Sequence, residues 1–82
     1  MATYKSINSP VHVTALGFGR GMRTYPRRME FEGTTYSFID AGLRATLRSG
    51  KRAMSIFTMT DGAYDYRLKS DNGSWTLLGI TQ

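Results

Sequence analysis

The 82-residue chain contains no cysteine and only one histidine. Without thiols there are no disulfides, thiolate zinc sites or cysteine nucleophiles, and a reducing cytoplasm is the expected location. A lone His12 rules out a two-histidine metal site within one chain. Long apolar runs are also missing. No window approaches the roughly 18 apolar residues of a membrane helix, so no membrane partner is expected. The opening MATYKSINSPVHV has no basic region followed by an apolar stretch, so it does not read as a secretory signal.

Acidic residues are absent where basic ones gather. The first 28 residues hold Lys5, Arg20, Arg23, Arg27 and Arg28 with no Asp or Glu, so the whole formal net charge of +5 lies there. The remaining residues carry as many acids as bases. Such asymmetry points to an anionic partner. The hydrophobic fraction, 40%, places the chain in the globular class. Its length suits one small core, which a dimer would enlarge.

After residue 28 the sequence reads as short alternating segments between turn signals. In MEFEG, Met29 and Phe31 share one face and Glu30 and Glu32 the other, the period-2 mark of a half-buried strand. TTYSFID follows Gly33, with Tyr36 and Phe38 on one face. IDAGLRATLRSGK fits two patterns. Ile39, Leu43 and Leu47 have helical spacing behind Asp40, whereas Leu43, Ala45 and Leu47 alternate with Arg44, Thr46 and Arg48 as in a strand. Gly42 and the strand-like AMSIFTMT beyond Ser49-Gly50 favour the strand, and a short helix near 40–48 stays as the alternative. Asp61-Gly62 reads as a two-residue hairpin turn into AYDYRLK, and Asp71-Asn72-Gly73 turns into SWTLLGI, with Trp75 and Leu77, or Leu78 and Ile80, inward.

The expected fold is therefore all-β, a small antiparallel meander of five to six strands forming a partly closed barrel or roll, or α+β if the helix forms. Alternate residues after position 28 should line its interior. Residues 1–28 read as a basic, partly flexible leader with one strand over 11–16, and 29–82 as the β-domain.

PRRMEFEGTTY and YDYRLKSDNGSWTL resemble short bacterial all-β domains of unknown function. The resemblance implies a small β fold and a bacterial origin, and it transfers no functional residue.

The catalytic inventory is thin. His12 reads as a strand residue, and Glu30 and Glu32, with Asp65 across the sheet, read as wet-face carboxylates rather than a catalytic pair. Gly17-Phe18-Gly19-Arg20-Gly21 fits neither a dinucleotide fingerprint nor a P-loop, since Met-Arg-Thr-Tyr-Pro follows where a helix should open. It also lacks the Phe-Val-x-Phe continuation of an RNP1 box. No enzymatic activity, cofactor or metal is expected.

What remains is binding. Arg20, Arg23, Arg27 and Arg28 beside Phe18 and Tyr25 combine cations for phosphates with rings for stacking bases, the ingredients of single-stranded nucleic-acid recognition. Arg44, Arg48, Lys51 and Arg52 extend the surface, because Arg44 and Arg48 share a side in either secondary structure. The plainer reading makes the arginines solubilising groups, and Trp75, Tyr64 and Tyr66 an ordinary aromatic core. A rival from another class is a protein-interaction or structural module pairing a sheet edge with a protein partner or its own copy, helped by Met54 and Met59.

Overall fold

The computed structural model describes residues 2–82. Eight strands follow one another: β1 (Tyr4–Pro10), β2 (His12–Phe18), β3 (Thr24–Phe31), β4 (Thr34–Ser37), β5 (Leu43–Ser49), β6 (Arg52–Thr60), β7 (Asp65–Asp71) and β8 (Ser74–Thr81). A single 3-10 turn, Arg20–Met22, lies between β2 and β3, and no α-helix occurs among the described residues. The strands form two antiparallel sheets, ordered β1-β8-β7-β6-β5 and β2-β3-β4. The fold is all-β, as the alternation indicates.

Neither sheet closes into a barrel. The barrel expectation misses because the N-terminal segment supplies strands of its own: β1 pairs with β8, and β2 and β3 form most of the second sheet. A boundary at residue 28 therefore falls inside β3, and the strand expected over 11–16 is β2, reaching Phe18. The segment 40–48 holds no helix; it is strand from Leu43 onward. Asp40 Oδ1 accepts the Gly42 N–H at 2.8 Å, and Gly42 sits at φ +63 with the Thr58 carbonyl where a β-carbon would be, after which β5 pairs with β6 without a break.

Turn chemistry sets the hairpins. Asn72-Gly73 and Glu32-Gly33 each place two consecutive residues at positive φ, as a two-residue type I′ turn demands. The connection at Asp61 is longer than expected. It runs over residues 61–64, and the Asp61 carboxylate accepts the N–H groups of Ala63 and Tyr64, both at 2.8 Å, which makes the aspartate a side-chain cap rather than a positive-φ turn residue.

One hydrophobic cluster joins both sheets. Met29 of β3, Phe57 and Met59 of β6, Tyr66 and Leu68 of β7 and Leu77 of β8 are buried together with Val11 and Phe38. Tyr66 lies 5.4 Å from Tyr36 and 5.3 Å from Phe38, ring centre to ring centre and tilted, a favourable aromatic arrangement across the inter-sheet space. In β8 a bulge between Leu77 and Gly79 shifts the register by one, so Leu77 and Ile80 both reach the core that Trp75 also flanks. Gly79 is needed there because the Tyr4 ring occupies the space of its missing side chain.

β5 overturns part of the interior expectation. Opposed residues of an antiparallel pair share a face. Arg44 lies opposite buried Phe57, so Leu43, Ala45 and Leu47 point to the outer face with Ile56 and Met54. All seven β5 residues are exposed, Leu43 to 74% and Leu47 to 53%. The core cluster contains no β5 residue: from the five-stranded sheet its fully buried strand members come from β6, β7 and β8, with Ile7 of β1 packed against them. At the opposite margin, residues 3 and 82 exchange two backbone hydrogen bonds of 2.9 Å.

Candidate nucleic-acid interface

The stretch between Gly17 and Arg28 is a hairpin, not an unpaired arm. Phe18 lies opposite Thr24 and Gly17 opposite Tyr25. The half-buried Tyr25 ring fills the space beside Gly17 and packs on the core cluster. Phe18, 69% exposed, is the ring the hairpin offers to solvent. The Gly19 N–H donates to the Arg23 carbonyl at 2.7 Å and closes the tip, while Gly21 takes φ +70. Arg20 and Arg23 project from that tip and are exposed.

The tip meets the other basic group. A side-chain carbon at Gly19 would lie 3.9 Å from Cβ of Ala41, two residues before β5 begins. The fold thus sets Arg20 and Arg23 beside the start of the strand that carries Arg44 and Arg48. On β5 these two share a face, about 13 Å apart at the ordinary strand rise. Arg44 donates to Ser55 Oγ at 3.1 Å and lies 5.5 Å over the Phe57 ring, which fixes its stem while leaving the residue exposed. Lys51 and Arg52 follow at the far end of β5, where they border an open depression of about 510 Å³ with Ala53, Asp71 and Asn72.

The remaining candidates are placed differently. Arg27 and Arg28 line a separate depression of about 470 Å³ with Ala15, Leu16, Ser37 and Phe38. Arg28 Nε donates to Thr14 Oγ1 at 3.2 Å across the β2–β3 ladder, which orients it. Arg52 is engaged by Asp71, with Nε 3.3 Å from Oδ1 and Nη2 closer still to Oδ2. This is the one ion pair among the described residues, so the other ten Lys and Arg side chains carry no carboxylate partner. Tyr66 and Trp75 belong to the core side, Trp75 meeting Phe57 in a tilted contact at 5.5 Å between ring centres, whereas Tyr64 is 44% exposed.

Two titrating groups are perturbed at the turn between β6 and β7. Asp61 is held below the usual carboxylate range, first by the Tyr64 N–H and then by the Tyr66 hydroxyl, which donates to Oδ2 at 2.7 Å. Burial, followed by that hydrogen bond to Asp61, pushes the Tyr66 phenol up. Both shifts follow from burial and from the hydrogen bonds of this turn. No group of three or more metal-ligating side chains converges among the described residues.

Sequence reasoning missed the exposed apolar face of β5, because alternating leucines read as interior. The signal that would have revealed it is the arginine at every fourth position, which must occupy one face of the strand and, on an edge, can take the inner one. No helix of the described residues is long and apolar enough to cross a membrane. In comparisons with protein-family models, curated proteins and solved structures, nothing matches this chain.

Proposed function

We propose that this protein is a non-catalytic binder of single-stranded nucleic acid, with a track that begins at the β2–β3 tip and continues along β5. The reading rests on one observation: Ala41, two residues before β5, lies close to Gly19, within 3.9 Å of where a side-chain carbon there would stand, which brings the hairpin tip near the start of the strand that carries Arg44 and Arg48. Cations in line, without carboxylate partners, attract a phosphate backbone by releasing its counterions. Phe18, exposed at the same tip, supplies a flat surface on which any base can stack, and Arg44 and Arg48 add planar guanidinium groups.

Tyr25 is left out of this surface and Arg52 contributes less, since Asp71 already neutralises it. Arg27 and Arg28, in their own depression, serve as a secondary contact. Fluorescence anisotropy of a labelled single-stranded oligonucleotide tests the proposal. Binding at low salt that is lost when Arg20, Arg23, Arg44 and Arg48 are all changed to alanine supports it. Absence of binding at low salt, or an unchanged affinity in the fourfold variant, removes it.

A further inference from the structure

The two sheets have four edges, and three of them are blunted. β1 carries a register shift between Ser6 and Ser9, with Asn8 at φ +54, ends in Pro10, and has Lys5 opposite core-flanking Ile80 on its inner face. β2 is interrupted twice, between Val13 and Ala15 and between Ala15 and Leu16. β4 is only four residues long. These are the devices by which sheet edges avoid pairing with other chains. β5 has neither a bulge nor a proline, and its seven residues pair with β6 in unbroken register. Its other side therefore presents a regular row of backbone donors and acceptors, under leucines that the core does not use.

We infer that β5 is the dimerisation edge of this protein and that two copies pair through it, antiparallel, with Ala45 on the two-fold axis. The register follows from charge and face. Side chains opposite one another share a face, so a two-fold axis perpendicular to the joined sheet must pass through one residue and its own copy. An axis through Arg44 sets Arg44 against itself, and one through Thr46 sets Arg44 against the partner's Arg48, with like charges opposed in both cases. An axis through Leu47 spends Leu43 on the turn residue Lys51. With the axis through Ala45, Leu43 meets the partner's Leu47 twice over, and each Arg44 meets the partner's Thr46.

The same register completes the outer face. Met54, Leu47 and the partner's Leu43 fall in one row across three strands, and Ile56, Ala45 and the partner's Ala45 in the next. Apolar side chains exposed in the single chain are thereby covered by their own kind. A single strand pair is smaller than the roughly 1,200 Å² at which stable interfaces begin, so the dimer forms and dissociates with concentration. Pairing leaves both copies of Arg44 and Arg48 on the inner side of the enlarged sheet, so it does not depend on the nucleic-acid reading.

Sedimentation velocity across a concentration series, with nucleic acid absent, provides the test. Wild type should pass from monomer to dimer. Thr46→Glu, which sets a carboxylate against the partner's Arg44 at two symmetric places, should tighten the dimer about fivefold, and Thr46→Arg should weaken it by a similar factor. Because the natural chain lacks cysteine, Ala45→Cys should give a disulfide-linked dimer under mild oxidation, while Thr46→Cys should not. A monomer at every concentration, as expected if β5 awaits a different protein, overturns the inference. Equal cross-linking by the two cysteine variants, or a weakened dimer in Thr46→Glu, overturns the register.

Discussion

The Tyr66 hydroxyl donates a 2.7 Å hydrogen bond to the Asp61 carboxylate, tying the most voluminous buried side chain of the core to the loop between β6 and β7. Tyr66 also bridges the sheets through Tyr36 and Phe38, so one residue couples turn, core and inter-sheet packing. Tyr66→Phe keeps the ring and loses only this bond. It should lower stability by about 1 kcal/mol in urea unfolding, near the ordinary net worth of one hydrogen bond, since water can still reach Asp61. Tyr66→Ala, which removes the ring as well, should cost about 3–5 kcal/mol.

The same pair sets the response to pH. Asp61 binds its proton less firmly in the folded chain than at its ordinary value of 3.8, so its contribution is present above that pH and lost as the pH falls through the lowered folded value. Tyr66 shifts the other way. Its contribution is complete below the ordinary tyrosine value of 10.0 and is lost as the pH rises beyond it. Melting temperature followed by circular dichroism should decline at both extremes. Asp61→Asn should flatten the acid limb and Tyr66→Phe the alkaline one; an acid limb identical in Asp61→Asn and wild type would contradict the assignment.

Gly42 should tolerate no side chain. Its φ of +63 disfavours any L-residue, and the Thr58 carbonyl and Met59 Sδ stand where a β-carbon would go. Gly42→Ala should destabilise by about 2 kcal/mol or more. Gly62→Ala, at φ +98 with open space around it, meets only the backbone strain and should lose less. Equal losses at the two sites, measured by denaturant unfolding, would show that the close approach to β6 carries no energetic weight.

Leu43 and Leu68 should differ although both alternate with charged neighbours. Leu68 is fully buried in the core, and Leu68→Ala should cost about 2–5 kcal/mol. Leu43→Gln, at a position 74% exposed, should change monomer stability by no more than about 0.5 kcal/mol. Unfolding at concentrations below dimer formation separates the two.

Oligonucleotide affinity should fall with salt at a logarithmic slope of about −3 if Arg20, Arg23, Arg44 and Arg48 each neutralise one phosphate of a single strand. Each alanine substitution among the four should reduce the slope by about 0.7. Arg52→Ala should change it less, because Asp71 already compensates that cation. A slope that the Arg44 and Arg48 substitutions leave untouched would confine binding to the hairpin tip.

The strands were legible wherever apolar and polar residues alternate beneath a two-sided environment. Met29, Phe57, Tyr66 and Leu68 face inward as their period requires. Two kinds of information were not local. The pairing of β1 with β8 joins opposite ends of the sequence, and YKSINSP carries too few apolar side chains to announce a strand without its partner. β5 presents the opposite case. Its alternation is strong, yet which side is interior depends on how far the second sheet extends over the first. The candidate arginines could be named from sequence, but only the fold brings Gly19 of the hairpin tip near Ala41, just before β5.

The paired backbones of Thr3 and Gln82 also bear on the order of folding. Closing β1 onto β8 brings together residues from opposite ends of the chain and carries the largest loop-closure entropy in the molecule. A circular permutant, joined at that margin by a short linker and opened between Glu32 and Gly33, converts this closure into a hairpin and leaves only the four-residue β4 to be recruited from a distance. The rearranged chain should reach the same native contacts faster, because topology rather than contact strength limits the rate of a sheet protein.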